Sequence, residues 1–219
     1  MKKLVIFDLD GTLINTLADL AASTNYGLKL NHFPTHEVNE YRYFVGNGIN
    51  KLFERALPED ARIQDNILLI RNAFLEYYGA HIADMSRPYT GIPELLKKLK
   101  ADGIKVAVCS NKYQEGSDKI IKVSLPDIVF DTVHGQREGV KTKPDPMIIH
   151  QIMDELGVND KKDILYCGDS GVDAATAKNA GIDCCSVLWG FRPKTEMEPF
   201  HPAYYATKPE QIYDIAIKE

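Results

Sequence analysis

Five short apolar runs rich in Val and Ile recur along the chain, from Lys3 to Asp8, Ile104 to Ser110, Ile128 to His134, Asp163 to Gly168 and Asp183 to Leu188. Apolar runs of this length suit strands buried on both faces, as in a parallel sheet covered by helices. Amphipathic stretches lie between them. Ile92, Leu95, Leu96 and Leu99 recur at helical spacing, as do Ile148, Ile149, Ile152, Met153 and Leu156, and Pro144 suits a first helical turn. Strand and helix in alternation predict an α/β fold built on a right-handed, doubly wound, Rossmann-like parallel sheet.

From about Asn15 to Arg87 this rhythm breaks. The interval holds no convincing strand and reads as helices separated by Pro34, Gly46 to Gly48, and Pro58 to Asp60. At 219 residues the chain suits one domain with a modest insertion better than two full-sized units. The expected organisation is a core of residues 1–14 and 88–219, with a small helical domain at 15–87 hung from the loop after the first strand. That loop also carries Asp8 and Asp10. A helical unit tethered there is placed to close over a site, exclude water and choose a substrate.

Ligand sites of open parallel sheets lie at the carboxyl ends of their strands. Asp8 ends the first run, Ser110-Asn111 the second and Gly168-Asp169-Ser170 the fourth, while Lys143 is expected to open the helix before that fourth strand. Bringing Asp8, Asp10, Asp169 and Asp173 together is costly unless cations accompany them. A hard divalent cation, Mg²⁺ above all, and Lys143 would meet that need. Gly11 lets the chain turn sharply after Asp10, and backbone N–H groups there and at Ser110-Asn111 are suited to cradle phosphate oxygens. Phosphoryl transfer is the chemistry this pattern fits.

Asp8-Leu9-Asp10-Gly11-Thr12-Leu13, Ser110-Asn111, Lys143-Pro144 and Gly168-Asp169-Ser170-Gly171-Val172-Asp173 resemble, in that order, the four motifs of the haloacid dehalogenase superfamily. The resemblance implies that Asp8 is a nucleophile forming an aspartyl-phosphate, and that Asp10 is the general acid and base. It implies that Ser110 and Asn111 bind phosphate and that Lys143 orients Asp8 and neutralises the transferring group. Mg²⁺ would be held by Asp8, the backbone carbonyl of Asp10, and Asp169, with Asp173 behind them or reaching the metal through water. An acid at position 10 separates phosphatases and phosphomutases from dehalogenases, phosphonate hydrolases and transport ATPases.

The helical insertion resembles the C1 type of cap. Within it, Val45 to Leu57 is similar to the cap segment of phosphoglycolate phosphatases, as is the later Trp189-Gly190-Phe191-Arg192, whereas Asn15 departs from the Asp or Ser that relatives often carry. The implied activity is Mg²⁺-dependent hydrolysis of a small phosphomonoester, with 2-phosphoglycolate the first candidate. A beta-phosphoglucomutase-like mutase, hydrolysis of pyrophosphate or nucleotide monophosphates, and a non-catalytic phosphate-binding regulatory module are the alternatives.

A net charge of −5 with no Lys/Arg cluster argues against a nucleic-acid or membrane footprint and for a small phosphorylated metabolite as partner. The N-terminal apolar run is too short and too quickly acidic for a signal peptide, and no segment has the length of a membrane span. Cys109, Cys167, Cys184 and Cys185 lack metal-site spacing and read as buried free thiols of a cytoplasmic protein, a monomer or homodimer. Arg42, Lys51 and Arg55 are candidate contacts for a substrate carboxylate, or else members of solvated helix faces. The six histidines show no ligand spacing, and Tyr77, Tyr78, Tyr204 and Tyr205 read as packing residues.

Overall fold

In the computed structural model, which describes residues 1–218, strand β1 (Leu4–Phe7) is wholly buried. Its alternate side chains feed opposite layers: Val5 and Phe7 join one apolar cluster, Leu4 and Ile6 another. Two-residue strands β2 (Ile14–Asn15) and β3 (Arg87–Pro88) pair antiparallel in a separate ribbon. Strands β4 (Lys105–Tyr113), β5 (Thr132–Gln136), β6 (Ile164–Gly168), β7 (Asp183–Val187) and β8 (Tyr204–Ala206) complete the main sheet. Its six strands run in the order β5-β4-β1-β6-β7-β8, with every neighbouring pair parallel. The chain therefore passes outward from β1 in both directions, which opens a ligand crevice at the carboxyl end of β1.

Helices α1 (Leu17–Leu30), α2 (Tyr41–Phe44), α3 (Ile49–Ala56) and α4 (Gln64–His81) lie between β2 and β3. Helices α1 and α4 cross closely at Gly27, where a Cβ would stand 3.0 Å from the Ile70 carbonyl oxygen. Phe53 meets Phe74 edge-on and Phe74 stacks on Tyr78, with ring centroids 5.1 and 4.9 Å apart. Around the sheet run α5 (Ile92–Ala101), α6 (Gln114–Ser124), α7 (Met147–Leu156), α8 (Gly171–Ala180), α9 (Lys194–Met197) and α10 (Pro209–Ile217). Leu95, Leu96, Ile120 and Ile212 cover the Val5–Phe7 face, and Ile148, Ile152, Ala174 and Ala177 cover the Leu4–Ile6 face. The sheet is thus wrapped on both sides, an α/β Rossmann-like fold.

The elements differ from the sequence expectation in four places. The run expected to begin at Ile128 forms β5 only from Thr132, because Asp131 exchanges two bonds with Val106: its backbone N–H donates to the Val106 carbonyl, and its carboxylate accepts the Val106 N–H. The expected helix at Lys143-Pro144 starts later, at Met147, whose N–H is capped by the Asp145 carboxylate at 3.0 Å. Lys143 therefore sits in the preceding loop, joined to Pro144 by a cis peptide. Tyr204 and Tyr205, read as packing residues, belong to edge strand β8, and Asn15 and Arg87 pair with each other in the small ribbon.

Candidate active site

The end of β1 turns back on itself within a few residues. The N–H groups of Leu13 and Ile14 both reach the Leu9 carbonyl at 3.1 Å, and the Gly11 N–H donates to the Ile14 carbonyl at 2.9 Å. Gly11 adopts φ +89°, and a Cβ there would lie 2.4 Å from Asp169 Oδ2. This tight loop presents Asp8 and Asp10 side by side at the crevice, with the Asp10 Oδ1 accepting the Thr16 hydroxyl at 2.6 Å.

Lys143 meets Asp8 from across the sheet. Its Nζ lies 2.8 Å from Asp8 Oδ1 and 2.7 Å from Asp173 Oδ1, and it also donates to the Tyr166 hydroxyl at 3.1 Å. Burial disfavours the ammonium, but Asp173 and Asp8 outweigh this and hold Lys143 above the ordinary lysine range. Asp8 is pushed up to about 7, first by burial and then by Asp173, with Lys143 offsetting part of the rise. Asp169 is also raised, by burial, Asp173 and Asp8 in that order.

Asp173 is a capping residue as well. Ser170 is the N-cap of α8, and its backbone N–H and hydroxyl donate to Asp173 Oδ2 at 3.1 and 2.5 Å. With Lys143 and Tyr166 on Oδ1, both oxygens of Asp173 are engaged. Asp169 accepts the Phe191 N–H on Oδ2 at 2.6 Å, while Thr12 approaches Oδ1 only at 3.4 Å. Asp8 Oδ2 makes no hydrogen bond among the described residues. The open oxygens are therefore those of Asp8 and Asp169.

Carboxylate oxygens of Asp8, Asp169 and Asp173 all fall within 4.8 Å of one another. Across the whole crevice four carboxyl groups, with Asp10 included, face the two ammonium groups of Lys112 and Lys143, a formal excess of two negative charges when all four are ionised. An all-oxygen donor set with that excess fits a hard divalent cation. The backbone fits as well: a Cβ at Gly190 would stand 2.2 Å from the Cβ of Asp169, so glycine there lets the chain seat this carboxylate.

Strand β4 loses its register with β5 between Cys109 and Tyr113, and the residues in that gap turn toward the crevice. A cavity of about 40 Å³ is lined there by Ser110, Asn111 and Lys112 together with Asp8, Asp10 and Lys143. The Asn111 side chain is committed to the backbone. Its Oδ1 accepts the Lys143 N–H at 2.8 Å, and its Nδ2 donates to the Gly46 and Lys143 carbonyls at 2.9 and 3.2 Å. The opposite wall comes from the helical segment: Leu20, Val45, Gly46, Gly48, Ile49 and Leu52.

The structure thus brings Asp8, Asp10, Ser110, Asn111 and Lys143 to one cavity, with Asp169 and Asp173 beside Asp8. Arg42 and Arg55 stand apart from it, spent on the carbonyls of Gly190 and of Tyr43 and Phe44 respectively, and Lys51 pairs with Glu54. Sequence reasoning passed over Lys112 and Tyr78, whose hydroxyl accepts from Lys112 Nζ at 2.8 Å. The signal for Lys112 was its place directly after Ser110-Asn111. For Tyr78, inside an amphipathic helix, there was none.

The family model of haloacid dehalogenase-like hydrolases matches residues 5–187. The chain belongs to that family. A phosphoglycolate phosphatase of Mesorhizobium japonicum is 34% identical over 203 residues, covering 90% of this chain and 88% of that protein. One from Aquifex aeolicus is 31% identical over 189 residues, 86% of each chain. Among solved structures, one described as a predicted phosphoglycolate phosphatase from Haemophilus somnus superposes with a TM-score of 0.90 at 30% identity, covering 98% of this chain and 97% of that one. The expected α/β fold and family are therefore correct. No helix among the described residues is long and apolar enough to cross a membrane.

Proposed function

We propose that this haloacid dehalogenase-like hydrolase is a Mg²⁺-dependent phosphatase of small phosphomonoesters that uses Asp8 as its nucleophile. The observation that carries the reading is the asymmetry of Asp8, which lines the cavity: Lys143 holds Oδ1 at 2.8 Å while Oδ2 has no hydrogen bond among the described residues. A carboxylate so held is aimed at phosphorus. Its Oδ2 attacks, the bond from phosphorus to the substrate's alcohol oxygen breaks, and Asp10 gives that oxygen a proton. Water then attacks the phosphorus of the aspartyl-phosphate, Asp10 takes a proton from it, and the bond to Asp8 breaks to release inorganic phosphate.

The other residues bind and orient. The Ser110 hydroxyl, the backbone at Asn111, and Lys143 meet the phosphate oxygens; the Asn111 side chain fixes the Lys143 loop instead, and Gly11, expected to offer its N–H to phosphate, gives it to the Ile14 carbonyl and shapes the turn. Asp8, the Asp10 carbonyl and Asp169 would hold Mg²⁺, with Asp173 engaged behind them. The ion supplies positive charge to the phosphate oxygens as they approach the acids. Thr16 holds Asp10 in place for proton transfer.

Residues 15–87 act as a cap domain on this core, and 2-phosphoglycolate is the leading substrate, supported by the names of the relatives and by the small cavity. Four buried free cysteines suit a reducing cytoplasm. The test is inorganic phosphate release from p-nitrophenyl phosphate in Mg²⁺. Turnover should vanish in Asp8→Asn and in excess EDTA, and an inactive wild-type chain would overturn the reading. A panel of 2-phosphoglycolate, pyrophosphate, beta-glucose 1-phosphate and nucleotide monophosphates, ranked by kcat/KM, decides the substrate.

A further inference from the structure

The mechanism above leaves one buried cation without a task. Lys112 lines the cavity on the Asp10 side, with its side chain only 2% exposed. The Tyr78 hydroxyl accepts one of its hydrogens at 2.8 Å, and the Tyr78 ring centroid lies 4.7 Å from Nζ. Its contacts with the Asp10 oxygens are 3.3 and 3.4 Å. A well-made ammonium–carboxylate bond is about 2.7–2.9 Å, and Asp10 makes its short bond to Thr16 instead. An ammonium with three donors therefore has one good acceptor and two loose ones, on a side chain almost wholly withdrawn from water.

The surroundings narrow what it could meet. Lys143 is held by Asp8 and Asp173, Arg42 and Arg55 are tied to backbone carbonyls, and Lys51 is exposed. The facing wall of Leu20, Val45, Ile49 and Leu52 offers no side-chain hydrogen bond to a polyhydroxylated group. The cavity between these walls is small, about 40 Å³.

We propose that Lys112 selects phosphomonoesters whose leaving group is short and carries a negative charge, and that Tyr78 of α4 holds the ammonium where that charge arrives. The inference rests on the phosphatase reading and names the substrate class of the same site: a few-atom alcohol ending in a carboxylate, in preference to a neutral alcohol or a sugar. Discrimination follows because a neutral leaving group leaves the ammonium with only its loose contacts to Asp10, whereas an anionic one completes its bonding. Tyr78 belongs to the helical segment and Lys112 to the sheet, so the pairing subsite exists only while the two are packed together.

The test compares 2-phosphoglycolate with 2-hydroxyethyl phosphate, of similar length but neutral in its leaving group, and with p-nitrophenyl phosphate, all in Mg²⁺ with the full chain. Wild type should favour the carboxylate substrate over the hydroxyl analogue by at least about 100-fold in kcat/KM. Lys112→Met should shrink that ratio to about tenfold or less, chiefly through KM for the anionic substrate. Tyr78→Phe keeps the charge but frees it, and its ratio should fall between the two. An unchanged ratio in folded Lys112→Met overturns the proposal. If that variant does not fold, the wild-type ratio and Tyr78→Phe decide: no wild-type preference for the anion, or no change in Tyr78→Phe, overturns it equally. A wild type inert on all three substrates defeats the phosphatase reading itself, whereas activity without charge preference defeats only the assignment of Lys112.

Discussion

Lys143 Nζ bridges Asp8 and Asp173, 2.8 Å from an oxygen of one and 2.7 Å from an oxygen of the other, all three buried. Each carboxylate alone would be costly to bury, and the shared ammonium makes the pair tolerable. Lys143→Met removes the cation and leaves both acids. We expect it to lower stability in EDTA by about 3 kcal/mol or more near neutral pH, read by urea unfolding, together with loss of phosphatase activity. Adding Asp173→Asn should recover part of the stability without recovering the activity. Strictly additive losses in this double-mutant cycle would mean that the bridge is not an energetic unit.

Asp8 gives the metal-free protein a definite pH dependence. Its native pKa is about 7, through burial and Asp173, and an unfolded Asp releases its proton near 3.9. Between those values the native state holds a proton that the unfolded state has lost, so this contribution to stability falls as pH rises and is fully lost above about 7. Asp8→Asn cannot ionise. In EDTA at about pH 8 it should melt higher than wild type by at least about 1 kcal/mol, roughly 2–4 °C for a chain of this size, with a smaller gain near pH 5. Mg²⁺ should stabilise wild type more than the variant and so narrow or reverse the order. A variant that melts lower at pH 8 in EDTA would refute this account of the carboxylate cluster.

The sequence carried the sheet and most of the site because both are written locally. A strand such as Leu4–Phe7, buried on both faces, needs an unbroken apolar run, and Asp8 follows that run directly. Strands β2, β3 and β8 have two or three residues each, too short for any period to show. The start of α7 was misplaced because a proline fits both a first helical turn and a loop, and the Asp145 cap that decides between them is a side-chain contact. Tyr78 escaped for a different reason. Its spacing is that of a core residue in α4, and only the packing of that helix against the sheet puts its hydroxyl on Lys112.

Two glycines separate packing from propensity. At Gly190 a Cβ would lie 2.2 Å from the Asp169 Cβ and 2.5 Å from the Gly11 carbonyl oxygen, so Gly190→Ala must displace the loop that seats Asp169. We expect a loss of about 1–3 kcal/mol or more and a weaker response of the melting temperature to Mg²⁺. At Gly79, in the last turns of α4, a Cβ meets nothing within 4 Å. Gly79→Ala should gain about 0.4–1 kcal/mol and leave the metal response unchanged. Equal effects of the two substitutions would show that the close approach at Gly190 relaxes without consequence.

Arginines clasp the helical segment to the sheet from both sides. Arg42 donates to the Gly190 carbonyl at 2.9 Å, and Arg192 returns a bond to the Val45 carbonyl at 2.9 Å. Between them the Phe191 N–H donates to Asp169, so one short loop holds both that carboxylate and the helical segment. If residues 15–87 close over the site as a cap, cutting these bonds should favour the open form and weaken substrate capture more than chemistry. Arg42→Met with Arg192→Met should raise KM for the preferred substrate about tenfold, with a smaller change in kcat, for an estimated 0.5–1.5 kcal/mol per lost bond. Small-angle scattering should show a larger radius of gyration for the double variant than for wild type. A compact double variant with an unaltered KM would mean that the apolar contacts of Leu20, Val45 and Leu52 alone set the closure, and that the arginines only decorate it.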